Sequence, residues 1–274
     1  MNVRRLLREF DIQPKKSLGQ NFLVDQRALE RIVEAAELGP EDIVLEIGPG
    51  LGALTRLLAA EAGRVVAIEL DQRLVEVLKQ TVADLPNVEI IHGDVLELNP
   101  ADLLKQQGNN FQYKVVANLP YYITSAIIRH LLTAEVRPKL MVVTVQLEVA
   151  RRITAEPGEM SLLAVSVQFY GRPRIVARIK AGAFYPSPQV DSAVIRIDLD
   201  DYPVVEVDDV DSFFEVVRAG FAQRRKQLRN ALAAGLALPT SEVVQVLNRA
   251  GVNPKRRAQT LSLEEWAKVW REML

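Results

Sequence analysis

The sequence predicts an α/β protein with a doubly wound, mainly parallel sheet and a small all-helical domain after it. Short runs of β-branched residues alternate with helical patterns through the first two thirds of the chain. After residue 199, an acidic connector with a proline leads into sequence whose pattern stays helical to the end. We therefore expect two domains, 1–199 and 200–274.

Seven strands are expected in the first domain. The first five are separated by helical patterns, which is typical of parallel βαβ units. The last two follow without a full intervening helix, so we expect a hairpin at the edge of the sheet. The seven runs are Ile43–Ile47, Arg64–Leu70, Val88–Ile91, Lys114–Asn118, Leu140–Val145, Ile175–Lys180 and Ser192–Leu199.

Helices are expected between these strands, where apolar residues recur at helical spacing. One more segment, Met160–Tyr170, fits a helix or a strand, and we favour a helix. The other predicted helices are Gln26–Glu37, Gly52–Ala60, Gln72–Val82 and Ser125–Leu132.

The composition limits the chemistry that the chain can perform. Of its 274 residues, 49% are hydrophobic and 25% are charged, as in ordinary globular proteins. No long apolar run or signal-peptide pattern occurs, so we expect a cytoplasmic protein without a membrane span. Cysteine is absent and only two histidines occur, which excludes thiolate chemistry and argues against a metal site. Any reaction should therefore use a cofactor, carboxylates, amides or aromatic rings.

Positive charge is concentrated in the second domain, although the net charge is only −1. Between Val216 and Leu263 nine lysines and arginines stand against one acidic residue, Glu242. Such a segment can follow the phosphates of a nucleic acid, although a solvated helix surface is the alternative. The candidates for RNA binding are Arg218, Arg224, Arg225, Lys226 and Arg229, several of which the spacing predicts on one helix face, with Lys255–Arg257 as an extension.

A glycine-rich turn, Gly48–Ala53, follows the first strand and opens a helix. Glycines in such a turn let a ligand approach the backbone closely, because no Cβ intervenes. The pattern also fits a dinucleotide-binding turn, and a tight turn without any ligand is a further alternative. Glu69, at the end of the second strand, is placed to bind both hydroxyls of a ribose in NAD or in S-adenosylmethionine.

The residues after the third and fourth strands favour S-adenosylmethionine over NAD. Asp94 can accept a hydrogen bond from the amino group of a bound adenine, although a role as a turn or cap residue is its alternative. Asn118–Tyr121, with the sequence Asn-Leu-Pro-Tyr, has no use in hydride transfer. It suits methyl transfer to an exocyclic adenine nitrogen, whose lone pair is delocalised into the ring.

In this interpretation Asn118, Leu119, Pro120 and Tyr121 form the reaction centre. The Asn118 oxygen and the carbonyl that follows it would accept the N–H bonds of the target amine, while the proline stiffens the turn. Tyr121 would stack on a flipped base, and Phe184 is the candidate for its opposite face. A buried core position is the alternative for Phe184.

The chain resembles the ribosomal RNA adenine dimethyltransferase family, of the KsgA type. The motifs that carry the resemblance span most of the chain. They are Lys16–Leu23, the glycine turn, Asn118–Tyr121, Phe184–Val194 and Gly220–Asn230.

This resemblance implies a Rossmann-like, seven-stranded class I methyltransferase domain with a basic N-terminal arm, and a helical RNA-binding domain. It implies methylation of N6 of two adjacent adenosines in the 3′-terminal hairpin loop of 16S ribosomal RNA during small-subunit assembly. It implies cofactor contacts at Asn21, Leu23, Gly48, Glu69, Asp94 and Asn118, and closure of residues 20–23 over the methionine end of the cofactor. Where the family commonly has Arg-Phe-Gly-Gln, this chain has Ser17–Gln20 with the sequence Ser-Leu-Gly-Gln, which puts an RNA or lid role of the first two positions in doubt.

Two other functions stay open at this point. The first is a related methyltransferase of large-subunit ribosomal RNA or of DNA, whose catalytic domain would carry the same motifs. The second is an assembly or transcription factor that uses the fold for binding only, which predicts a damaged cofactor site.

We expect a monomer that binds 16S ribosomal RNA in the small subunit or its precursor.

Overall fold

The computed structural model describes residues 2–15, 18–104 and 112–274. They fall into two compact units. The first comprises Met1–Ala150 and Pro173–Leu199, and the second comprises Arg151–Arg172 and Asp200–Leu274. The segment 151–172, which the sequence-based boundary left with the first domain, therefore packs with the second unit.

The first unit contains most of the strands, separated by helices. The strands are β1 (Phe22–Leu23), β2 (Ile43–Ile47), β3 (Arg64–Glu69), β4 (Val88–His92), β5 (Tyr113–Asn118), β6 (Leu140–Gln146), β7 (Gly171–Ile179), β8 (Phe184–Tyr185) and β9 (Ser192–Leu199). The helices are α1 (Val3–Glu9), α2 (Gln26–Ala36), α3 (Ala53–Glu61), α4 (Gln72–Thr81), α5 (Pro100–Leu104), α6 (Thr124–Leu132) and α7 (Leu147–Ile153), the last of which crosses into the second unit.

Seven of these strands form one sheet in the order β4-β3-β2-β5-β6-β9-β7. Strands β2 to β6 pair in parallel and β9 runs antiparallel to β6. The predicted α/β fold is confirmed. The last two long strands, β7 and β9, are neighbours at one end of the sheet, as the predicted hairpin requires, and β7 is the edge strand. The order reverses between β2 and β5, and such a switch point is where ligands bind in doubly wound sheets.

The N-terminal part of the chain adds two elements that the sequence pattern did not predict. Helix α1 packs Val3 and Leu7 into an apolar cluster with Phe22 and with Leu74 of α4. Strand β1 forms a separate two-stranded antiparallel ladder with β8, with Phe22 opposite Tyr185. Together they hold the beginning of the chain against the carboxyl edge of the sheet.

The second unit is helical. Its helices are α8 (Leu162–Gln168), α9 (Val210–Phe221), α10 (Leu228–Gly235), α11 (Thr240–Arg249) and α12 (Leu263–Arg271). The predicted helix within Met160–Tyr170 is present as α8. Phe169, just after α8, stacks on Phe213 of α9 at a centroid distance of 5.0 Å, which explains why this segment joins the second unit.

Close helix packing in this unit depends on glycine. A Cβ at Gly220 of α9 would lie 2.3 Å from the ring of Trp266, which is fully buried in α12. No helix among the described residues is long and apolar enough to cross a membrane.

Candidate active site

A cleft opens in the first unit at the carboxyl edge of the parallel strands. Its walls come from the ends of β2, β3, β4 and β5 and from the segment Leu18–Leu23. Because parallel strands end at the same edge, residues far apart in sequence meet there. The six expected cofactor residues all line this cleft, as do Leu119, Pro120 and Tyr121.

The glycine turn after β2 requires glycine for conformation and for space. Gly48 and Gly50 have φ values of +69° and +60°, which other residues rarely adopt. A Cβ at Gly50 would lie 3.0 Å from the ring of Phe22. The turn thus presents bare backbone to the cleft at the start of α3.

Glu69, at the end of β3, is held rigidly by backbone donors. It is 6% exposed, and its two carboxylate oxygens accept hydrogen bonds from the Gly50 N–H at 3.1 Å and the Asp71 N–H at 2.9 Å. Burial raises the pKa of Glu69, and these backbone bonds oppose that rise. Each oxygen still has a lone pair for a ligand hydroxyl.

Asp94, after β4, has the turn role that stood as its alternative, and it keeps free acceptor capacity towards the cleft. Its Oδ1 accepts a hydrogen bond from the Leu96 N–H at 2.9 Å, so it does form a local turn. A carboxylate accepts about four hydrogen bonds, so this bond leaves capacity for a ligand amino group. Asp94 is half-buried in the cleft wall.

Glu46 is a polar residue in the cleft wall that the sequence analysis did not single out. It lies in β2 and is 1% exposed, and its Oε2 has no hydrogen-bond partner among the described residues. Burial raises the pKa of Glu46 to about 8. A lone glutamate inside an otherwise apolar strand, Ile43–Ile47, is the sequence signal that would have identified it.

Asn118, at the end of β5, has its amide oriented by the N-terminal segment. Its Nδ2 donates to the main-chain oxygen of Asn21 at 3.1 Å. Its Oδ1 is buried and has no hydrogen-bond partner among the described residues. Since buried acceptors are normally satisfied, an unsatisfied one in a cleft wall is suited to bind an incoming N–H group.

The turn after Asn118 is anchored on several sides. The Leu119 N–H donates to Thr144 O at 3.2 Å, and the Thr124 hydroxyl donates to Pro120 O at 3.0 Å. The Tyr121 hydroxyl lies 2.6 Å from Ser192 Oγ, while the neighbouring Tyr122 is 51% exposed. The turn therefore anchors the Tyr121 ring, next to Asn118 in the cleft wall.

Phe184 does not occupy the position expected of a second stacking ring. It is 2% exposed and packs in the hydrophobic core with Leu23, Leu29 and Ile32. Its pairing with Leu23 in the ladder of β1 and β8 directs the ring inward. The core alternative is thus correct for this conformation, and the next residue, Tyr185, is the exposed one at 36%.

The basic candidates of the second unit do not share one helix face. Arg218 lies on α9 and Arg229 on α10, whereas Arg224–Lys226 lie in the turns between these helices. All are exposed except Arg229, which is half-buried. The prediction of one shared helix face was wrong because α9 ends at Phe221, so Arg224–Lys226 are not on a helix.

The second basic group lies next to the first. The Leu228 N–H donates to Arg256 O at 2.7 Å, and the Arg229 N–H donates to Pro254 O at 3.3 Å. Arg256 itself pairs with Glu265 of α12, so it has a structural role. Lys255 and Arg257 are exposed, and they extend the charged surface. Of the N-terminal arm, Lys15 is described, whereas Lys16 and Ser17 lie outside the described residues.

A doubly wound sheet with a glycine turn and a cleft at its carboxyl edge is the architecture of Rossmann-like methyltransferase domains. The comparisons with known proteins agree and are more specific. Residues 12–273 match the family model of the ribosomal RNA adenine dimethylases. The chain therefore belongs to the ribosomal RNA adenine dimethylase family.

Individual relatives cover nearly the whole chain. The ribosomal RNA small subunit methyltransferase A of Dehalococcoides mccartyi is 48% identical over 264 residues, 96% of this chain and 90% of the relative. The protein of the same name from Moorella thermoacetica is 46% identical over 98% of this chain and 95% of its own length.

Solved structures show the same fold. The 23S rRNA methyltransferase ErmE matches with a TM-score of 0.73 and 31% identity over 92% of this chain and 99% of its own. A dimethyladenosine transferase from Plasmodium falciparum matches with a TM-score of 0.76 and 24% identity over 90% and 95% of the two chains.

Proposed function

We propose that this protein transfers methyl groups from S-adenosylmethionine to N6 of two adjacent adenosines in the 3′-terminal hairpin loop of 16S ribosomal RNA. The products would be N6,N6-dimethyladenosines made during small-subunit assembly. One observation carries the chemistry: the buried Asn118 oxygen, which has no hydrogen-bond partner in the described part of the chain, stands at the carboxyl edge of the sheet beside the glycine turn.

The cleft has the groups that S-adenosylmethionine needs. Glu69 would bind the ribose hydroxyls and Asp94 the adenine amino group, while Gly48 gives the methionine part close access to the backbone. Asn21 and Leu23 would cover that part from the N-terminal side. When bound, S-adenosylmethionine supplies an electrophilic methyl group on a positively charged sulfur.

Asn118 would activate the target amine by position and electrostatics. Its Oδ1 would accept one N–H of the exocyclic amino group, which localises the nitrogen lone pair and aims it at the methyl group. The nitrogen would bond to the methyl carbon as the bond from that carbon to sulfur breaks, leaving neutral S-adenosylhomocysteine, and the positively charged nitrogen would then lose one proton to solvent. No general base is needed, because the methylated ammonium is strongly acidic.

Tyr121 would stack on the flipped adenine, since its ring is held in place through the bond between its hydroxyl and Ser192. Phe184 would reach the opposite face only if it left the core. The basic residues Arg218, Arg224, Arg225, Lys226 and Arg229 would bind RNA phosphates. Recognition of a folded RNA would then depend on shape.

The names of the relatives favour the small subunit as the site of action. Two of them, at 46% and 48% identity, are called small subunit methyltransferases, whereas the 23S enzyme is 31% identical. We infer that the partner is 16S ribosomal RNA within the small subunit or its precursor. On this basis we propose that the protein acts in the cytoplasm; that it is a monomer stays an expectation.

Primer extension would test this choice of RNA. The chain would be expressed in a bacterium that lacks its own 16S dimethyltransferase, and reverse transcription would be run on both ribosomal RNAs, since a dimethylated Watson–Crick edge stops the enzyme. The proposal predicts stops at two adjacent adenosines of the 16S 3′-terminal hairpin. A stop in 23S RNA alone would contradict the proposal and would show that the chain methylates large-subunit ribosomal RNA instead.

A further inference from the structure

The segment Leu18–Leu23, which we call the strap, runs across the mouth of the cofactor cleft. It is bonded on one side to the loop after β3 and on the other to the end of β5, and β2 lies between those two strands. Its Phe22 ring covers the glycine turn at Gly50. The strap thus lines the part of the cleft that adjoins the glycine turn.

The Gln20 amide makes two hydrogen bonds, one to the β3 side of the cleft and one back to the N-terminal segment. Its Nε2 donates to Asp71 Oδ2 at 3.0 Å, and its Oε1 accepts from the Lys15 N–H at 2.7 Å. Lys15 Nζ lies 3.4 Å from the same Asp71 oxygen. Gln20 therefore connects the strap to Lys15 on its N-terminal side and to Asp71 after β3.

Asp71 is built as a fixed, charged anchor. It is 4% exposed and caps the N-terminus of α4, and the Arg73 guanidinium bonds to both of its oxygens. This contact with Arg73 is the main reason why the pKa of Asp71 lies far below its usual range. The Asp71 N–H donates to Glu69 Oε1 at 2.9 Å, so Asp71 also positions Glu69, the residue that we propose binds the ribose hydroxyls.

We propose that Gln20 and Asp71 are positioning residues that form a latch, which keeps the strap closed over bound S-adenosylmethionine and slows its release. The inference rests on the proposed function, because it needs the cleft to be the cofactor site. A hydrogen bond to a buried charge is strong. Loss of the latch should therefore raise the rate of cofactor release about ten- to a hundred-fold.

The test exchanges the amide and the carboxylate between positions 20 and 71, so that the second substitution can rescue the first. Gln20→Glu places a carboxylate against that of Asp71 and opens the latch. Asp71→Asn in the same chain restores a donor that faces the new carboxylate, so the double variant re-forms the bond with donor and acceptor exchanged. Gln26→Glu is the matched control, because the Gln26 amide also donates to a carboxylate, that of Glu30, but on the exposed surface of α2.

The dissociation rate of S-adenosylhomocysteine would be measured by stopped flow on the full chain, with thermal unfolding of each variant alongside. We expect a rate increase of about ten-fold or more for Gln20→Glu and for Asp71→Asn. We expect a return to within about three-fold of wild type in the double variant, and no change for Gln26→Glu.

Rescue separates the latch from simple loss of folding, since a merely structural defect would grow when the second substitution is added. Wild-type release from Gln20→Glu, or additive effects in the double variant, would overturn the latch while leaving the cofactor site intact. Failure of the wild-type protein to bind S-adenosylhomocysteine would overturn the proposed function, and the latch with it.

Discussion

The side-chain amide of Asn118 donates to the main-chain oxygen of Asn21 at 3.1 Å, across 97 positions of sequence. An amide that uses its nitrogen in this way turns its oxygen to the other side, and here that oxygen is buried with no partner among the described residues. The N-terminal segment thus orients the group to which we assign the activation of the target amine.

Removal of this oxygen should slow methyl transfer strongly. For Asn118→Ala we expect kcat to fall about 10²- to 10³-fold, because a preorganised partner of the transition state is removed. RNA affinity should stay close to wild type, since the proposed phosphate-binding residues are on other elements. Single-turnover methyl transfer and a filter-binding assay would measure the two quantities, and wild-type turnover in this variant would refute the role of Asn118.

The seven-stranded sheet was predictable because each of its strands contains a run of β-branched residues. The ladder between Phe22–Leu23 and Phe184–Tyr185 was not, since two-residue strands carry no periodicity and their partners are far apart in sequence. Helix α1 was missed although Val3, Leu6, Leu7 and Phe10 recur at helical spacing. The resemblance implied only a basic arm for this part of the chain.

The site could be predicted in part for a similar reason. Gly48, Glu69, Asp94 and Asn118 each lie at or just after the end of a predicted strand, and parallel strands bring their ends together. Phe184 could not be placed, because the same aromatic residue suits a core and a stacking platform. The bond between Gln20 and Asp71 depends on the path of the strap, which local sequence does not determine.

Glu46 should make stability depend on pH. Its pKa rises from 4.5 in the unfolded chain to about 8 in the folded protein. Between these values the folded state retains a proton that the unfolded state releases, so the free energy of unfolding falls as pH rises, by at most about 1.4 kcal/mol per pH unit. Below pH 4.5 both states are protonated and this dependence disappears.

Glu46→Gln removes the titrating carboxyl group and with it this pH dependence of the free energy of unfolding. We expect the variant to gain stability relative to wild type as pH rises from about 5 to 8, in urea unfolding at several pH values. Glu76→Gln, on the exposed surface of α4, is the control and should show no such trend. A stability difference between Glu46→Gln and wild type that does not change with pH would contradict the raised pKa.

Tyr121 should matter for its ring more than for its hydroxyl. Tyr121→Ala removes a base-stacking surface worth about 1 to 3 kcal/mol, so we expect the KM for RNA to rise about 5- to 150-fold. Tyr121→Phe keeps the ring and removes only the bond to Ser192, so its KM should stay within about three-fold. Tyr202→Ala, at a tyrosine that is 82% exposed, is the control. Equal KM values for the Ala and Phe variants of Tyr121 would exclude stacking.

The basic turn between α9 and α10 should determine the salt dependence of RNA binding. Arg224→Glu together with Arg225→Glu should weaken binding and lower the slope of log affinity against log salt by about 0.7 to 0.9 for each phosphate that is no longer neutralised. The same double reversal at Arg27 and Arg31, two exposed arginines of α2, should leave the slope unchanged. If the two double variants show the same slope, the turn is not the RNA-binding surface.

The most direct measurement is the transfer of labelled methyl groups from S-adenosylmethionine to unmethylated small ribosomal subunits, followed by nucleoside analysis of the 16S RNA. We predict labelled N6,N6-dimethyladenosine at the two adjacent adenosines of the 3′-terminal hairpin, formed about 10²- to 10³-fold more slowly by the Asn118→Ala variant. Label at any other nucleoside, or the same rate of labelling with Asn118→Ala, would contradict the account.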